Sequence, residues 1–261
     1  MNNIYDKLFE HFSIQRNMYF NTCKFTNYGS YYFSTVIEDD CNWNYFIPLD
    51  YNNFINNINS IREIFNKFNR KFCTGISNKF EDYDKYITYF DNNNFNFEFS
   101  ENWLIYNKKE DKKVNYKIVE TEEDYNLFKY ILLKTYTNPP SDIQPWGNIS
   151  TKYLDAFEKR RTFQNNVKNI IFYSEDKKPI SACSVCFEDE IWAIYNFAVL
   201  PKYQNSKEGY SAILGAIDIF NKENGKDLFI QVPIDTKFEK WLKLNGFDYL
   251  MTFKAYSKVD K

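Results

Sequence analysis

Between Asn169 and Leu200 the chain reads NIIFYS, EDKKP, ISACSVCF, EDE and IWAIYNFAVL in succession. Three short apolar runs, rich in β-branched and aromatic residues and joined by tight polar turns, predict an antiparallel meander of three strands. At Pro201 the pattern changes. A polar stretch with a single glycine, Gly209, leads into a segment whose Ile213, Ala216, Ile217 and Phe220 fall on one helical face. Few architectures accept a meander that hands its last buried strand to an amphipathic helix through a polar loop.

The flanking segments extend this unit. Upstream, TEEDYNLFKYILLKTY opens with Thr121 and Asp124 in capping-box spacing and stops at Pro139-Pro140. A loop, SDIQPWGNIS, follows, and Ser150 is placed to cap a helix whose Tyr153, Leu154 and Phe157 share a face. Downstream come the strand DLFIQV, a helix closing near Gly246, and the strand DYLMTFKAYS. The order is α-α-β-β-β-α-β-α-β. The N-terminal block echoes its second half: WNYFIPL, a helix with Phe54, Ile58, Ile61, Phe65 and Phe68 on one side, FCTGIS, a helix, and NFEFSENWLIYN. The charged run NKKEDKKVN reads as a linker. The expected organisation is a smaller N-terminal domain, residues 1–108, and a C-terminal domain, residues 114–261. The fold class is α/β with a mixed, mostly antiparallel sheet flanked by helices.

Composition removes several function classes. Thirty-three basic residues face 35 acidic ones, for a net charge of −2, so bulk charge gives no support to nucleic-acid binding. The longest uncharged apolar stretch, ISACSVCF, is too short to span a bilayer, and MNNIYDKLFEHF lacks a secretory pattern. Five cysteines without regular spacing predict free thiols in a reducing cytoplasm. Cys183 and Cys186 lie three apart on a strand, hence on opposite faces, and read as small buried hydrophobes rather than a metal pair. The single histidine, His11, in an expected N-terminal helix, leaves no multi-histidine metal site and makes histidine-based catalysis improbable. The seven glycines form neither GxGxxG nor a Walker loop.

The polar loop has its own chemistry. Backbone N–H groups at a helix start are unpaired and lie at the positive end of the helix dipole, which suits a pyrophosphate. Gly209 allows close backbone approach, and Gln204, Ser206 and Lys207 add donors. On spacing alone a plain connecting loop is the commoner outcome. VLPKYQNSKEGYSAILGAI after a three-strand meander, however, resembles the acetyl-CoA loop of the GNAT superfamily of acyl-CoA N-acyltransferases. Val199, Pro201, Gln204 and Gly209 match that pattern, while Lys207 stands in place of its first glycine. IDTKFEKWLKLNGF is similar to a second signature of the family. Gly246 and Phe247 match; Asp235, Phe238 and Trp241 replace the usual Asn, Ala and Leu; and Leu242 occupies the place of the tyrosine that often protonates the leaving thiolate. The N-terminal block looks like a degenerate copy without a phosphate loop, so a tandem arrangement is implied.

The resemblance implies acetyl transfer from acetyl-CoA to a small primary amine or amino-acid-like acceptor, without a metal. Expected cofactor contacts are Phe197, Ala198 and Val199 on the strand, Gln204, Asn205, Ser206, Lys207, Glu208, Gly209 and Tyr210 in the loop, and Asp235. Tyr195, Asn196 and Tyr249 are candidate catalytic residues. Acceptor contacts are expected from Trp146, Glu190 and Trp192, with the first two helices of the C-terminal block lining the cleft. The expected assembly is a monomer or homodimer with no nucleic-acid or membrane partner. Two other readings are a non-catalytic acyl-CoA- or partner-binding module of the same fold, and an aminoacyl-tRNA-dependent transferase, which the lack of basic surplus disfavours.

Overall fold

The computed structural model describes residues 4–19, 21–38, 40–108, 114–139, 148–161, 165–204 and 206–258. The N-terminal half contains α1 (Ile4–Tyr19), β1 (Asn21–Thr26), β2 (Gly29–Ser34), β3 (Asn44–Pro48), α2 (Tyr51–Lys67), β4 (Phe72–Ser77), α3 (Tyr83–Asn92) and β5 (Phe95–Tyr106). The C-terminal half contains β6 (Tyr116–Ile118), α4 (Glu122–Thr137), α5 (Lys152–Arg160), β7 (Val167–Tyr173), β8 (Pro179–Glu188), β9 (Ile191–Val199), α6 (Ser211–Lys222), β10 (Asp227–Pro233), α7 (Lys237–Leu244) and β11 (Phe247–Lys258). The expected mixed architecture is present, with β6, β1 and β2 added to the elements read from sequence. β6 has only three residues and β1, NTCKFT, is mostly polar, whereas β2, GSYYFS, is a fully buried strand that the sequence reading left out.

All eleven strands join one sheet, in the order β1-β2-β3-β4-β11-β5-β10-β9-β8-β7-β6. Pairing is antiparallel except for β3–β4 and β9–β10. Each half sends its final strand into the other: β11 pairs with β4, and β5 pairs with β10. β11 and β5 also pair with one another through the middle of the sheet.

Local chemistry explains the helix starts. Thr121 Oγ1 accepts from Asp124 N at 3.1 Å, and the Asp124 carboxylate accepts in return from Thr121 N, the capping box expected from the sequence. Ser150 sits one residue outside the α5 cap and accepts from Lys152 N at 3.3 Å. Gly246 closes α7 with φ of 97°, a region that only glycine enters freely.

Three buried clusters form the core. One, rich in Phe and Tyr, lies under α2 and α3 and includes Met251, Phe253 and Ala255 from the exchanged β11. A second, mostly aliphatic, lies under α6 and α7. The third packs α1, α4 and α5 on the other sheet face. Cys183 belongs to the second cluster and Cys186 to the third, so the strand alternation read from sequence holds. Cys41 and Cys73 form a disulfide, which corrects the expectation of five free thiols and removes the cysteine argument for a reducing compartment. Cys41 precedes β3 and Cys73 lies on the neighbouring β4, a proximity in the sheet that a separation of 32 residues in sequence conceals. Among the described residues no helix is long and apolar enough to cross a membrane.

Candidate functional site

The parallel pairing of β9 with β10 runs from Ile191↔Asp227 to Ile194↔Ile230 and goes no further. Beyond that point the two strands diverge. At the same level the register between β9 and β8 slips between Tyr195 and Ala198. Asn196 occupies this bulge with φ of 51°, a left-handed conformation that Asn tolerates better than most residues. Its side chain is fixed at both ends. Nδ2 donates to Ser184 Oγ at 3.1 Å, and Oδ1 accepts from the Tyr136 hydroxyl at 3.2 Å. A bulge facing a strand divergence leaves the β10-facing edge of β9 without a strand partner among the described residues.

The wedge opens into a cavity of about 270 Å³. Its C-terminal wall is formed by Ile194 to Phe197 on β9 and Ile230 to Pro233 on β10. Its opposite wall comes from the N-terminal half: Asp40, Asn42, Trp43 and Tyr45 around the start of β3, Gln15 on α1, and Glu101 on β5. Sequence reading assigned no site residue to this half. The signal was absent because β5 reaches the wedge only through strand exchange.

A half-buried carboxylate and a buried imidazole shape the electrostatics. Glu101 lines the cavity and accepts from Trp103 Nε1 at 2.8 Å. Burial raises its carboxyl to about 7, against the smaller downward pull of that hydrogen bond. His11 is 1% exposed, and its Nε2 lies 2.9 Å from the Tyr195 hydroxyl. Burial lowers its pKa to about 3, so the imidazole is neutral near pH 7. His11 thus supports Tyr195 from behind the cavity wall. Burial also pushes the Tyr136 hydroxyl upward, so it remains a donor to Asn196.

The loop after β9 is wound into two short 3-10 turns, Pro201–Tyr203 and Glu208–Tyr210. Much of its donor capacity is spent internally. Gly209 N donates to Ser206 O and Oγ, Tyr210 N to Lys207 O, and Ser211 N to Glu208 O. Gln204 Nε2 ties the loop to the carbonyls of Asn138 and Val199, and the Ser206 hydroxyl donates to Tyr203 O. This differs from the expectation that Gln204 and Ser206 face a phosphate. The N–H groups of Lys207 and Glu208 have no acceptor among the described residues, and both side chains are exposed. Gly209 has a packing reason of its own: a Cβ there would lie 2.7 Å from Tyr203 O and 2.9 Å from Val199 Cγ1.

Tyr195, Asn196 and Phe197 are brought together at the wedge. Phe197 stacks on Phe238 at 4.8 Å between ring centroids, and Tyr210 packs against Phe238 and Trp241. Ala198 is buried and paired to Ala182, and the Val199 carbonyl accepts from Thr135 Oγ1 at 2.9 Å. Asp235, φ 60°, sits in the exposed turn after β10, its N–H donating to the Glu239 carboxylate at 2.8 Å. Three candidates lie elsewhere. Tyr249 is 40% exposed on β11 and bonded to Asn78 and Thr252. Glu190 is in the turn at the opposite end of β9, near Lys226, and Trp192 is core, stacked on Phe187. Strand periodicity does not reveal which end of β9 meets the wedge. Trp146 and Asn205 lie outside the described residues. Leu242 is fully buried.

No family model matches the chain, and no curated protein matches it. Solved structures do. A GCN5-related N-acetyltransferase from Kribbella flavida aligns over 98% of this chain and 95% of its own, with TM-score 0.67 and 9% identity. A conserved protein of unknown function from Staphylococcus epidermidis aligns over 91% and 93%, with TM-score 0.65 and 12% identity. A tandem GNAT protein from the clavulanic acid biosynthesis pathway covers 88% of this chain and 78% of its own, with TM-score 0.57 and 8% identity. The chain has the fold of the GCN5-related N-acetyltransferases, and at these identities the likeness is one of fold.

Proposed function

We propose that the protein is an acyl-CoA N-acyltransferase that moves an acetyl group from acetyl-CoA to a small primary amine by direct attack in a ternary complex. The observation that carries this reading is the coincidence of three features at one point of the sheet. They are the diverging β9 and β10, the bulge at Asn196, and a carboxylate with raised pKa in the cavity between them.

The residues present fit the co-substrate. The unpaired edge of β9 offers backbone groups to the amides of a pantetheine arm, as an added strand would. The Lys207 and Glu208 N–H groups and the Lys207 ammonium suit a pyrophosphate. When bound, acetyl-CoA supplies the activated thioester. A backbone N–H at the bulge is placed to stabilise the developing oxyanion. Tyr195, held by His11, lines the cavity and is the hydroxyl taken here to replace the acid missing at Leu242. Amine-dependent thiol release from acetyl-CoA, followed with a panel of primary amines, tests the reading; it expects release with amines and none with the matching alcohols.

A second reading, a binding module of the same fold, is favoured by one observation. The Phe197–Phe238 stack lies beside the wedge where a smaller residue is usual, which narrows the room for a pantetheine arm. Acetyl-CoA binding without thiol release for any amine supports it.

A further inference from the structure

Resting on the acyltransfer reading, we infer that the cavity between the two halves is the acceptor site, that it takes a small primary amine in its ammonium form with a flat apolar body, and that Glu101 removes its proton. Asp40 and Glu101 are the charged side chains of the described cavity lining, and no Lys or Arg accompanies them there. An ammonium ion entering this space loses hydration, and two carboxylates offset that loss. A neutral or anionic acceptor gains nothing comparable.

Both carboxylates are held. Glu101 Oε1 accepts from Trp103 Nε1, while Oε2 has no protein partner among the described residues. Asp40 Oδ2 accepts from the Tyr153 hydroxyl at 2.6 Å, and Oδ1 accepts from Asn42 N at 2.8 Å. Gln15 is 2% exposed and lines the cavity, and its Oε1 accepts from the Tyr45 hydroxyl at 3.5 Å. The rest of that wall is aromatic, with Trp43, Phe99 and Phe253, which suits a flat body and attracts a cation through the ring faces.

The step balances as follows. The ammonium gives one proton to the Glu101 carboxylate, leaving a neutral amine and a carboxylic acid. The amine nitrogen bonds to the thioester carbonyl carbon, the C–S bond breaks, and the departing thiolate takes the proton of the Tyr195 hydroxyl, which the second nitrogen proton restores. Glu101 then returns its proton to water through the cavity mouth. The groups facing Glu101 are Asp40 and Tyr45 across the cavity, and Lys71, Glu98 and Lys152 in an adjoining cavity of about 420 Å³. Lys71 is engaged with Glu98 at 2.6 Å, and the strand neighbours Phe253 and Pro233 carry no charge. Burial therefore sets the proton affinity of Glu101, which lies close to neutrality.

The test starts with the full chain and no acetyl-CoA. Phenethylammonium and 2-phenylethanol are titrated at pH 8 and low salt and followed by calorimetry. The expected result is that the amine binds about tenfold or more tighter than the alcohol, a difference of one charge interaction. Glu101→Gln and Asp40→Asn each weaken the amine and leave the alcohol unchanged. Equal binding of the two ligands, no saturable amine binding, or variants with unaltered affinity would overturn the acceptor site. The base is tested by turnover: Glu101→Gln lowers kcat about a hundredfold near pH 7, and the defect shrinks as the solution pH approaches the pKa of the amine. A defect independent of pH sinks the proton-transfer role. Trp103→Phe keeps the carboxylate, preserves amine binding and moves the acid limb upward, which guards against a folding failure in Glu101→Gln. Failure of acetyl-CoA to bind, with amine selectivity intact, would refute the acyltransfer reading and Glu101 as its base while leaving the amine site standing.

Discussion

After β3 the chain needs only Leu49 and Asp50 to enter α2; after β9 it takes Leu200 to Tyr210 to enter α6. The two junctions occupy equivalent places in halves that share the order strand, helix, strand, helix, strand. In the N-terminal half the Asp50 carboxylate accepts from Asn53 N at 2.8 Å and so fills the helix start with its own negative charge. At α6 no side chain caps the helix, and Lys207 stands in the preceding loop. One half has closed its helix start with a carboxylate; the other leaves the Lys207 and Glu208 N–H groups without an acceptor among the described residues. The closed half instead contributes a wall of the cavity, through Asp40, Trp43 and the exchanged strand bearing Glu101.

This contrast breaks first if the halves are separable. Residues 1–108 alone lose β11, which pairs with β4 and β5 and supplies Phe253 and Ala255 to the aromatic core. The fragment is expected to give no cooperative thermal transition, whereas the full chain gives one; a fragment that folds alone would refute the interdependence.

A smaller effect concerns Glu101. Its folded pKa of about 7 exceeds the ordinary 4.5, so its contribution to stability is fully present below pH 4.5 and is lost as pH rises through 7. The loss amounts to about 3 kcal/mol. Glu101→Gln should therefore be more stable than the parent at pH 8 and equal to it at pH 4, by denaturant titration. His11 acts in the opposite sense, since its lowered pKa costs stability as pH falls from 6.5 towards 3, and the comparison of the two proteins cancels it.

Gly209→Ala places a methyl group against the Tyr203 carbonyl and is expected to destabilise by about 1–3 kcal/mol. Its urea midpoint should fall, and an unchanged midpoint would show the loop relaxing freely. Asp50→Ala is the mildest, costing about 1 kcal/mol through the lost cap. If it instead created measurable sulfate affinity at α2, the closed junction would be only one side chain from an open one.

Much of the architecture was legible because its signals are local. The meander, the Thr121 capping box, the α6 face and the β-strand placement of Cys183 and Cys186 each depend on residues a few positions apart. The candidate site was legible only where the cavity lining lies on that continuous stretch, at Tyr195 to Phe197. Glu101, Asp40 and Gln15 were not, because strand exchange and the packing of α1 across the sheet unite residues separated by up to some 200 positions. The Cys41–Cys73 disulfide was hidden because only the pairing of β3 with β4 brings the two cysteines together. Gly209 was read as the point where the backbone approaches a phosphate; that a Cβ there would also meet Tyr203 and Val199 was not legible, since sequence does not show which groups of its own chain a glycine approaches.

The most direct measurement is calorimetric titration of the full chain with acetyl-CoA, beside a Lys207→Glu variant. The account expects micromolar binding to the parent, weakened at least about tenfold by reversing one charge at the loop. No binding at millimolar acetyl-CoA would contradict the acyltransfer reading, and equal binding to both proteins would move the pyrophosphate away from this loop.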